Sequence, residues 1–334
     1  MILVTGATGI LGRVIVLELL KRGKNVRATK RNSSKLEEVK HSFKFYTENP
    51  EKWFSKIEWV DVDFEDIHSL QNALIGIEEV YHCAAKVSFH PKDKREMYHT
   101  NIDGTKNLLY ACENSSVKKF LFVSSIAVLD GLNETGVMDE DSDFNSKLDH
   151  SAYAKSKHFA EMEVWRASAE GLNTVIVNPG MIIGSGNWNE SSGTIFKNFE
   201  KSSYTFCGGT GYVDVRDVAK ISVDLMEKNV FGQRFVLVSE NKKYQELATI
   251  VRASFKQPAP KVHSVGVLNF ARILNMIFGS FVPILKMANR VNIDAVCNAF
   301  PYSNEKIKKE LNFSFIPVLE SIDFHLKNYT QDKN

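Results

Sequence analysis

Short apolar runs of strand type alternate with segments of helical periodicity over the first half of the chain. Runs typical of buried strands lie at residues 2–5, 25–30, 58–63, 79–84, 119–124 and 174–178. Segments with apolar residues at helical spacing lie between them, at 10–22, 67–75, 97–114 and 153–170, with one or two more helices inside 35–55. This alternation predicts βαβ units, a parallel sheet and the α/β class of fold.

Beyond residue 180 the pattern loosens, because glycines interrupt a polar region with scattered aromatic residues. Regular structure resumes with a predicted helix at 215–228 and a predicted strand at 233–239. We expect residues 1–180 and about 212–239 to form a large domain, and about 181–211 with 240–330 to form a smaller C-terminal lobe. Parallel strands bring their carboxyl ends to one edge of the sheet, where ligands bind.

The bulk composition favours a small-molecule partner. The 334 residues are 43% hydrophobic, which is enough for a large core. With 42 basic and 40 acidic side chains the formal charge is +2, too balanced for a protein whose main partner is nucleic acid or an anionic membrane. The chain passes from Met1 directly into a strand pattern, without the regions of a signal peptide, so we expect a cytoplasmic protein.

The cysteines are scattered and have no C-x-x-C spacing, and the histidines supply no metal-ligand pattern with them. Each cysteine lies in or beside an apolar run, where a reduced thiol behaves as a small hydrophobe. The sequence therefore predicts no disulfide and no metal site. The cysteines are Cys83, Cys112, Cys207 and Cys297.

An apolar stretch at 265–288 is the one candidate for contact with a membrane. Asn269, Arg272, Asn275 and Pro283 interrupt it, and its clean run is shorter than the roughly 20 residues that cross a bilayer. We interpret it as a buried or lid-forming pair of helices in the smaller lobe and expect no integral membrane segment. Peripheral membrane contact is the alternative.

The sequence T-G-A-T-G-I-L-G, placed between the first strand and the first helix, is the strongest local signal. Glycines there allow a tight turn, a close approach to a pyrophosphate and close packing of the helix on the strand. The helix N-terminus adds N–H donors and the positive end of a dipole, so the motif predicts a dinucleotide site. The residues of the turn expected to contact the cofactor are Gly6, Thr8, Gly9, Ile10, Leu11 and Gly12.

The end of the second strand bears on which dinucleotide binds. An NAD site usually places an acid there for the ribose 2′-hydroxyl. This chain instead reads V-R-A-T-K-R, with Lys30 and Arg31. A basic pair suits a 2′-phosphate, so NADP is favoured over NAD. The alternative is a pair of solvated surface charges in an NAD enzyme.

Two later strand ends supply further cofactor contacts. Asp63 is a candidate for the adenine amino group, with Phe64 beside the ring. The alternative for Asp63 is a helix N-terminal acid. Ala84, Ala85 and Lys86 follow the fourth strand, where small residues would let the backbone pass beside the cofactor.

The segment Y-A-K-S-K places Tyr153 and Lys157 four residues apart on one helix face, whereas Lys155 lies on another face. A neighbouring ammonium is expected to lower the pKa of the phenol, which makes Tyr153 a usable proton donor or base. The fifth strand, ending in F-V-S-S, directs Ser125 to the same sheet edge, where its hydroxyl can hold the substrate oxygen. Ser124, within reach of the cofactor, is the alternative for that role.

A set of segments resembles the extended short-chain dehydrogenase/reductase superfamily, and within it the dihydroflavonol-reductase-like and 3β-hydroxysteroid-dehydrogenase-like branch. The resemblance is most specific in residues 1–220. The segments are T-G-A-T-G-I-L-G, N-I-D-G-T-K-N-L, F-V-S-S, Y-A-K-S-K, N-P-G-M-I-I-G and Y-V-D-V-R-D-V-A.

The resemblance implies a Rossmann-type doubly wound parallel sheet with a smaller C-terminal substrate-binding lobe, and a catalytic Ser125, Tyr153 and Lys157. It also implies that Asn101 lies near the active site in a mainly structural role. Of the two aspartates in Y-V-D-V-R-D-V-A, Asp217 is expected to cap the next helix. The segment that skirts the nicotinamide contains Asn178, Pro179, Gly180 and Met181.

The leading functional hypothesis is an NADP(H)-dependent oxidoreductase that reduces a ketone or aldehyde to an alcohol. A nucleotide-sugar epimerase or dehydratase of the same superfamily is the alternative, and a non-catalytic dinucleotide-sensing regulator is a third. The N-W-Y-C-Y signature of cinnamoyl-CoA reductases is replaced by L-D-H-S-A-Y, which argues against a hydroxycinnamoyl thioester. The substrate wall is expected to include Val87, Phe89, His90 and Met181. The resemblance also implies a homodimer formed through the helices at 97–114 and 153–170.

Overall fold

The computed structural model describes residues 1–189, 191–278 and 287–333 of the chain. Its strands, in chain order, are β1 (Ile2–Thr5), β2 (Val26–Lys30), β3 (Glu58–Asp61), β4 (Glu79–His82), β5 (Lys119–Val123), β6 (Asn173–Pro179), β7 (Met181–Ile183), β8 (Tyr204–Thr205), β9 (Gly209–Asp214), β10 (Gln233–Leu237), β11 (Glu240–Lys243) and β12 (Lys261–Val262).

Seven of these strands form one sheet in the spatial order β10-β6-β5-β4-β1-β2-β3, and every neighbouring pair is parallel. The order reverses beside β1, since β2 and β3 lie on one side of it and β4, β5 and β6 on the other. Such a reversal opens a crevice at the carboxyl ends of the strands. The predicted α/β class with a doubly wound parallel sheet is confirmed.

The helices follow the predicted order. They are α1 (Ile10–Lys21), α2 (Leu36–Ser42), α3 (Pro50–Phe54), α4 (Ile67–Ala73), α5 (Lys94–Tyr98), α6 (Gly104–Glu113), α7 (Ala152–Ala169), α8 (Ile195–Lys201), α9 (Val215–Glu227), α10 (Tyr244–Ser254), α11 (Val265–Phe278), α12 (Arg290–Cys297), α13 (Glu305–Leu311) and α14 (Val318–Lys333). The helix predicted at 97–114 is observed as α5 and α6 joined by a π-helical segment at His99–Asp103.

The main sheet is buried on both faces. Because successive side chains of a strand point to opposite faces, Ile2 and Val4 pack in the layer that contains α1 and α9. Leu3, between them, packs in the layer that contains α4, α6 and α7. Burial on both faces explains why the strands appear in the sequence as continuous apolar runs.

A second, three-stranded sheet has the order β11-β9-β7 and mixes parallel with antiparallel pairs. Helices α8, α10 and α14 cover it and share a core with it. Buried members of that core are Ile183, Phe196, Tyr212, Leu247 and Ile322. A separate short pair, β8 with β12, lies beyond it.

Residues 212–239, expected with the large domain, divide between the two sheets. Strand β10 pairs with β6, and α9 packs against α1. Strand β9, which ends at Asp214, lies in the smaller sheet. Near the other end of the chain, Ile307 of α13 is buried in the core shared with α1 and α9. The division into two domains at the expected boundaries stays a prediction.

The apolar stretch at 265–288 is described only in part. Its first 14 residues form α11, and residues 279–286 lie outside the described ranges. Across the described parts of the chain, every helix is too short or too polar to span a bilayer.

Candidate active site

The glycine turn joins β1 to α1 and has the backbone geometry that the motif predicts. Gly6 has a φ of +64°, and a Cβ atom there would lie 2.6 Å from the main-chain nitrogen of Ala84. The Gly9 N–H donates to the Gly6 carbonyl across 2.9 Å. A Cβ atom at Gly12 would overlap the same carbonyl. The motif therefore combines a tight turn with close contact to the end of β4.

Helix α1 begins at Ile10 with Gly9 as its N-cap, so no cap side chain covers its first turn, and that turn has no acidic residue. Such a turn directs main-chain N–H groups outward and suits a phosphate group. Ile10 and Leu11 are buried and anchor the helix. Thr8 is half-buried at the tip of the turn.

Arg13 is a member of this turn that sequence reasoning missed. Its buried guanidinium donates to the Gly9 carbonyl across 3.1 Å and also to the Thr8 carbonyl. Turning these two carbonyls toward Arg13 leaves the neighbouring N–H groups on the outer side of the turn. Its position in the first turn of the helix, directly after the glycine motif, is the sequence feature that could have identified Arg13.

The two basic residues at the end of β2 differ in their contacts. Lys30 pairs with Asp61 across 2.5 Å, because the register of β2 and β3 puts these residues side by side. Arg31 is exposed, and within the described ranges no carboxylate lies within ion-pair distance of it. Of the two residues, only Lys30 is held in an ion pair, and Arg31 is the cation available to a ligand.

Asp63 and Phe64 follow β3. The Asp63 carboxylate accepts a hydrogen bond from the Glu65 N–H across 2.9 Å and stays exposed. The N-cap of α4 is Asp66, whose carboxylate accepts from the His68 N–H, so the helix-cap alternative for Asp63 is wrong. The Phe64 ring packs inward, 5.8 Å from the His82 ring centroid.

The segment after β4 lies against the glycine turn and against the π-helical segment His99–Asp103. The Ala84 N–H donates to the Thr5 hydroxyl across 3.3 Å, and Ala85 is exposed. The Lys86 N–H donates to the Asn101 side-chain oxygen across 2.7 Å, whereas its ammonium pairs with Glu96. Lys86 therefore contributes its main chain to the carboxyl edge of the sheet, whereas its ammonium is engaged by Glu96.

Asn101 has the structural role that the resemblance implies. Its amide group donates to the Lys86 carbonyl and to the Ser156 hydroxyl, each across 2.9 Å. It lies in the π-helical segment, where the wider turn brings its side chain toward α7. Asn101 thus ties the segment after β4 to the helix that carries Tyr153.

Tyr153 and Ser125 are brought together by α7 and by the end of β5. Their hydroxyl groups lie close enough together for Ser125 to act on the pKa of Tyr153. Ser151 caps α7 by accepting from the Ala154 N–H across 3.1 Å, which starts the helix immediately before Tyr153. Burial raises the pKa of the Tyr153 phenol, although the Ser125 contact acts in the opposite direction. The phenol is therefore protonated at neutral pH.

Lys157 lies one helical turn after Tyr153 and is buried. Its ammonium donates to the Val123 carbonyl across 2.6 Å and lies 4.3 Å from the centroid of the Phe122 ring. Burial lowers the pKa of this ammonium to about 8, opposed by the charge of Glu161. The expectation that Lys157 lowers the pKa of Tyr153 is wrong for the chain alone, because the ammonium is directed at Val123.

The two serines at the end of β5 have different partners. The Ser124 hydroxyl donates to the buried Glu161 carboxylate across 2.6 Å. Asn178 donates to the same carboxylate across 3.2 Å and to the Ser125 carbonyl across 3.1 Å. Ser124 is therefore committed to the interior, and Ser125 is the serine that faces Tyr153.

The segment after β6 closes this edge of the sheet. Pro179 is buried, and the Gly180 N–H donates to the Leu237 carbonyl across 3.0 Å. A Cβ atom at Gly180 would overlap the Gly211 carbonyl, so only glycine fits beside β9. Met181 begins β7 and is half-buried.

A group of side chains lies beyond Tyr153 on the expected substrate side. The Phe89 ring centroid is 6.2 Å from that of Tyr153, and both Val87 and Phe89 are exposed. Phe89 also lines a cavity of about 200 Å³, together with residues of α7 and α12. His90 accepts a hydrogen bond from the Lys92 N–H and caps a short turn.

The cap of α9 is the first of the two aspartates in Y-V-D-V-R-D-V-A. Asp214 is the N-cap and accepts from the Arg216 N–H across 2.8 Å, so the expectation for Asp217 is wrong. Asp217 instead accepts from the Ile316 N–H across 2.8 Å, and burial raises its pKa to about 7. Asp217 thereby fastens the chain before α14 to α9.

Known proteins match both the sequence and the fold. The profile of the NAD dependent epimerase/dehydratase family matches residues 2–237. Sterol demethylase protein B of Methylococcus capsulatus is 28% identical over 263 residues, covering 78% of this chain and 76% of that protein. A putative dihydroflavonol 4-reductase of Synechocystis is 30% identical over 267 residues, covering 77% of this chain and 73% of that protein.

Among solved structures, a double mutant of the dTDP-glucose 4,6-dehydratase of Streptomyces venezuelae, with NAD bound, has a TM-score of 0.77 and 16% identity, covering 100% of this chain and 98% of that chain. The strand order and the glycine turn thus define a Rossmann-type dinucleotide-binding fold. The chain belongs to the NAD dependent epimerase/dehydratase family, the extended short-chain dehydrogenase/reductases. The predicted resemblance to the dihydroflavonol-reductase-like branch is confirmed.

Proposed function

We propose that this chain is an NADPH-dependent reductase that converts a ketone or an aldehyde into an alcohol, with Ser125, Tyr153 and Lys157 at its catalytic centre. The observation that carries the proposal is that the Ser125 and Tyr153 hydroxyls lie close together, with Lys157 one helical turn after Tyr153 on the same helix. All three groups lie at the carboxyl edge of the sheet, where the glycine turn also lies.

The general class does not depend on these residue roles. The reductase relatives confirm the predicted class, an NAD(P)-dependent oxidoreductase that acts on carbonyl or alcohol groups. We propose three finer assignments: NADP rather than NAD as the cofactor, the roles of the site residues, and the homodimer.

The residues at the sheet edge fit a dinucleotide. The first turn of α1 has no side-chain cap and no acid, so its N–H groups can hold the pyrophosphate. We assign Asp63 and Phe64 to the adenine end, and Pro179, Gly180 and Met181 to the nicotinamide end. We assign the main chain of Ala84, Ala85 and Lys86, together with Ser124, to the middle of the cofactor; Ala84 lies beside the glycine turn and the Lys86 N–H is held by Asn101.

The choice of NADP over NAD rests on Arg31. Lys30 is neutralised by Asp61, so Arg31 is the cation available for a 2′-phosphate. The acid that an NAD site uses for the ribose is absent from the end of β2. A preference for NADH in measured kcat/KM would contradict this assignment.

The proton chemistry follows from the protonation states. When bound, the reduced nicotinamide supplies the hydride that the carbonyl carbon receives. Tyr153, protonated at neutral pH because burial raises its pKa, donates its phenolic proton to the carbonyl oxygen. Ser125 donates a hydrogen bond to the same oxygen and aligns it. To stabilise the phenolate left behind, the Lys157 ammonium would have to turn from the Val123 carbonyl toward Tyr153 when the cofactor is bound. The phenolate then regains a proton from solvent.

A screen of ketones, aldehydes and nucleotide sugars, followed by NADPH absorbance, tests the proposed function. Tyr153→Phe is expected to lower kcat about 10²- to 10⁴-fold for any compound reduced, because the proton donor is removed. The dissociation constant for NADPH is expected to stay unchanged. Unaltered turnover in the variant, or turnover of a nucleotide sugar without net NADPH consumption, would contradict it.

A homodimer and a cytoplasmic location complete the proposal. Helices α6 and α7 leave apolar side chains exposed, among them Tyr110, Phe159 and Met162. Two copies that pair these helices would cover that surface. Light scattering at micromolar concentration gives the mass, and a monomer would refute the pairing.

A further inference from the structure

Glu161 is a buried carboxylate that the proton chemistry above does not use. It lies one helical turn after Lys157 on α7 and is 2% exposed. A carboxylate is retained in such a place only where its charge and its hydrogen bonds are compensated.

Both oxygen atoms of Glu161 have partners on other elements. One accepts from Ser124 across 2.6 Å, at the end of β5, and from Asn178 across 3.2 Å, at the end of β6. The other pairs with Arg234 of β10 across 3.3 Å. Because Asn178 also holds the Ser125 carbonyl, one carboxylate joins the strand that presents Ser125 to the helix that presents Tyr153.

The charges around Lys157 make the same carboxylate its electrostatic partner. The groups that face Lys157 are His82 at the end of β4, the Cys83 thiol after it, and Glu161 on its own helix. The ionisable groups that face Glu161 from other positions are Arg234 and His158. Glu161 is thus the carboxylate that offsets the burial of the Lys157 ammonium.

We propose that Glu161 is a positioning residue, which aligns Ser125 through Asn178 and Ser124 and keeps Lys157 charged; its effect on catalysis rests on the proposed function. Glu161→Gln tests this, because glutamine keeps an oxygen acceptor for Ser124 and Asn178 and removes the charge. The matched control is Glu163→Gln, on the same helix, whose carboxylate pairs with Arg166.

The direct readout is the titration of Lys157, followed by NMR in protein labelled with ¹³C at lysine Cε. The Lys157 signal is the one that disappears in Lys157→Met. Glu161→Gln is expected to lower the titration midpoint of Lys157 by about one pH unit. It is also expected to lower kcat at pH 7 about twofold with an unchanged KM for NADPH, because a midpoint near pH 7 leaves about half of the Lys157 side chains charged. Glu163→Gln is expected to change neither quantity.

An unchanged Lys157 midpoint in Glu161→Gln would overturn the role of the charge. If Glu161→Gln fails to fold, Lys157 is titrated in Glu161→Asp instead, which keeps the charge on a shorter side chain. A Lys157 midpoint that falls by a full pH unit in Glu161→Asp would also overturn the role of the charge. If no carbonyl compound is reduced by the unmodified protein, the proposed function fails, whereas the titration shift still tests Glu161.

A second inference rests on two cysteines far apart in the sequence. Cys207, just before β9, and Cys297, the last residue of α12, have their Sγ atoms 3.1 Å apart. Main-chain hydrogen bonds fix this approach, since Gly208 donates to the Val296 carbonyl and Gly209 to the Asn298 carbonyl, each across 3.0 Å. Both thiols are free and partly accessible.

We propose that Cys207 and Cys297 are a site of reversible oxidation, at which a disulfide such as oxidised glutathione forms a bond that fastens α12 to β9. The Cys207 thiolate attacks oxidised glutathione and releases one reduced glutathione, and the Cys297 thiolate then attacks the Cys207 sulfur and releases the second. The protein loses two thiol protons and two electrons, and glutathione gains them. The Sγ atoms must approach by about 1 Å, to the bond length of about 2 Å.

Burial and the neighbouring Cys207 raise the pKa of the Cys297 thiol to about 11. The thiolate is the attacking form, so the rate of bond formation is expected to rise between pH 7 and pH 9. The bond would close a loop of 90 residues. A disulfide that closes a loop of that length is expected to raise the melting temperature of the protein by about 5 °C.

The test is incubation of the full chain with oxidised glutathione, followed by intact-mass and peptide-mass analysis without reductant. The expected product is a monomer lighter by about 2 Da, with peptides of Cys207 and Cys297 joined. Cys207→Ser and Cys297→Ser are expected to abolish it, whereas the double variant Cys83→Ser/Cys112→Ser retains it. Glutathione adducts alone, joined subunits alone, or unreacted thiols would overturn the proposal.

Discussion

The ammonium of Lys157 donates a hydrogen bond to the main-chain carbonyl of Val123 across 2.6 Å. The contact places a cation inside the protein, and burial lowers its pKa to about 8 from an ordinary value of 10.5. A depressed lysine pKa means that the charged form is disfavoured in the folded state. Lys157 therefore costs stability below pH 8, and the cost disappears as pH rises toward 10.5.

Lys157→Met is accordingly expected to stabilise the protein while it removes activity. At pH 7 the free energy of unfolding in urea should rise by about 2 kcal/mol, because a buried charge is replaced by an apolar chain of similar length. The rise in stability between pH 8 and pH 10 should vanish in the variant. Lys155→Met, on a more exposed face of α7, is the control and should stay within about 0.5 kcal/mol of the unmodified protein. A less stable Lys157→Met would contradict the sign of this effect.

Gly6→Ala should weaken both the fold and the cofactor site. Gly6 has a φ of +64° and a Cβ atom would lie 2.6 Å from the Ala84 nitrogen, so alanine adds a steric overlap to a strained backbone. We expect a loss of about 3 kcal/mol in the free energy of unfolding and a loss of NADPH affinity measured by calorimetry.

The matched control is Gly23→Ala. Gly23 has a φ of +76° with nothing within 4 Å of the added carbon, so it reports the backbone strain alone. It should cost about 1 kcal/mol and leave NADPH affinity unchanged. Equal effects of the two substitutions would show that the approach to Ala84 does not matter.

His82 is expected to make the protein sensitive to acid. Its two ring nitrogens bond the hydroxyls of Thr5, across 2.6 Å, and Thr105, across 2.9 Å. Burial and the charge of Lys157 lower its pKa to about 3. Between that value and the ordinary 6.5, the unfolded chain binds a proton that the folded chain does not. Stability is therefore complete above pH 6.5 and falls as pH falls toward 3.

The expected loss from His82 is about 2 kcal/mol between pH 7 and pH 5, measured by urea unfolding at the two values. His82→Phe removes the titrating group and keeps the ring among Phe64, Phe120 and Phe122. The difference in acid sensitivity between the two proteins isolates His82 from the other histidines. An identical pH dependence of both proteins would refute the assignment.

The sequence predicted the features that depend on neighbouring residues. The glycine turn, the parallel sheet and the spacing of Tyr153 and Lys157 follow from local pattern and helical periodicity, and the structure has them. It did not predict the pairing of Lys30 with Asp61, which depends on the register of β2 and β3. The contact of Cys207 with Cys297 depends on the path of 90 intervening residues. Side-chain direction was also missed, since sequence spacing does not show that Lys157 is directed at Val123.

The cofactor preference gives the last prediction. Arg31 is exposed and uncommitted, whereas Lys30 is held by Asp61. Arg31→Glu should replace an attraction to the 2′-phosphate of NADPH with a repulsion, and a carboxylate there can accept hydrogen bonds from the ribose hydroxyls of NADH. The ratio of kcat/KM for NADPH to that for NADH should fall about 100-fold or more. Lys30→Gln should change this ratio far less, because its charge is already neutralised. If Lys30→Gln changes the ratio as much as Arg31→Glu does, the 2′-phosphate is held by the lysine, and the ion pair with Asp61 must open when the cofactor binds.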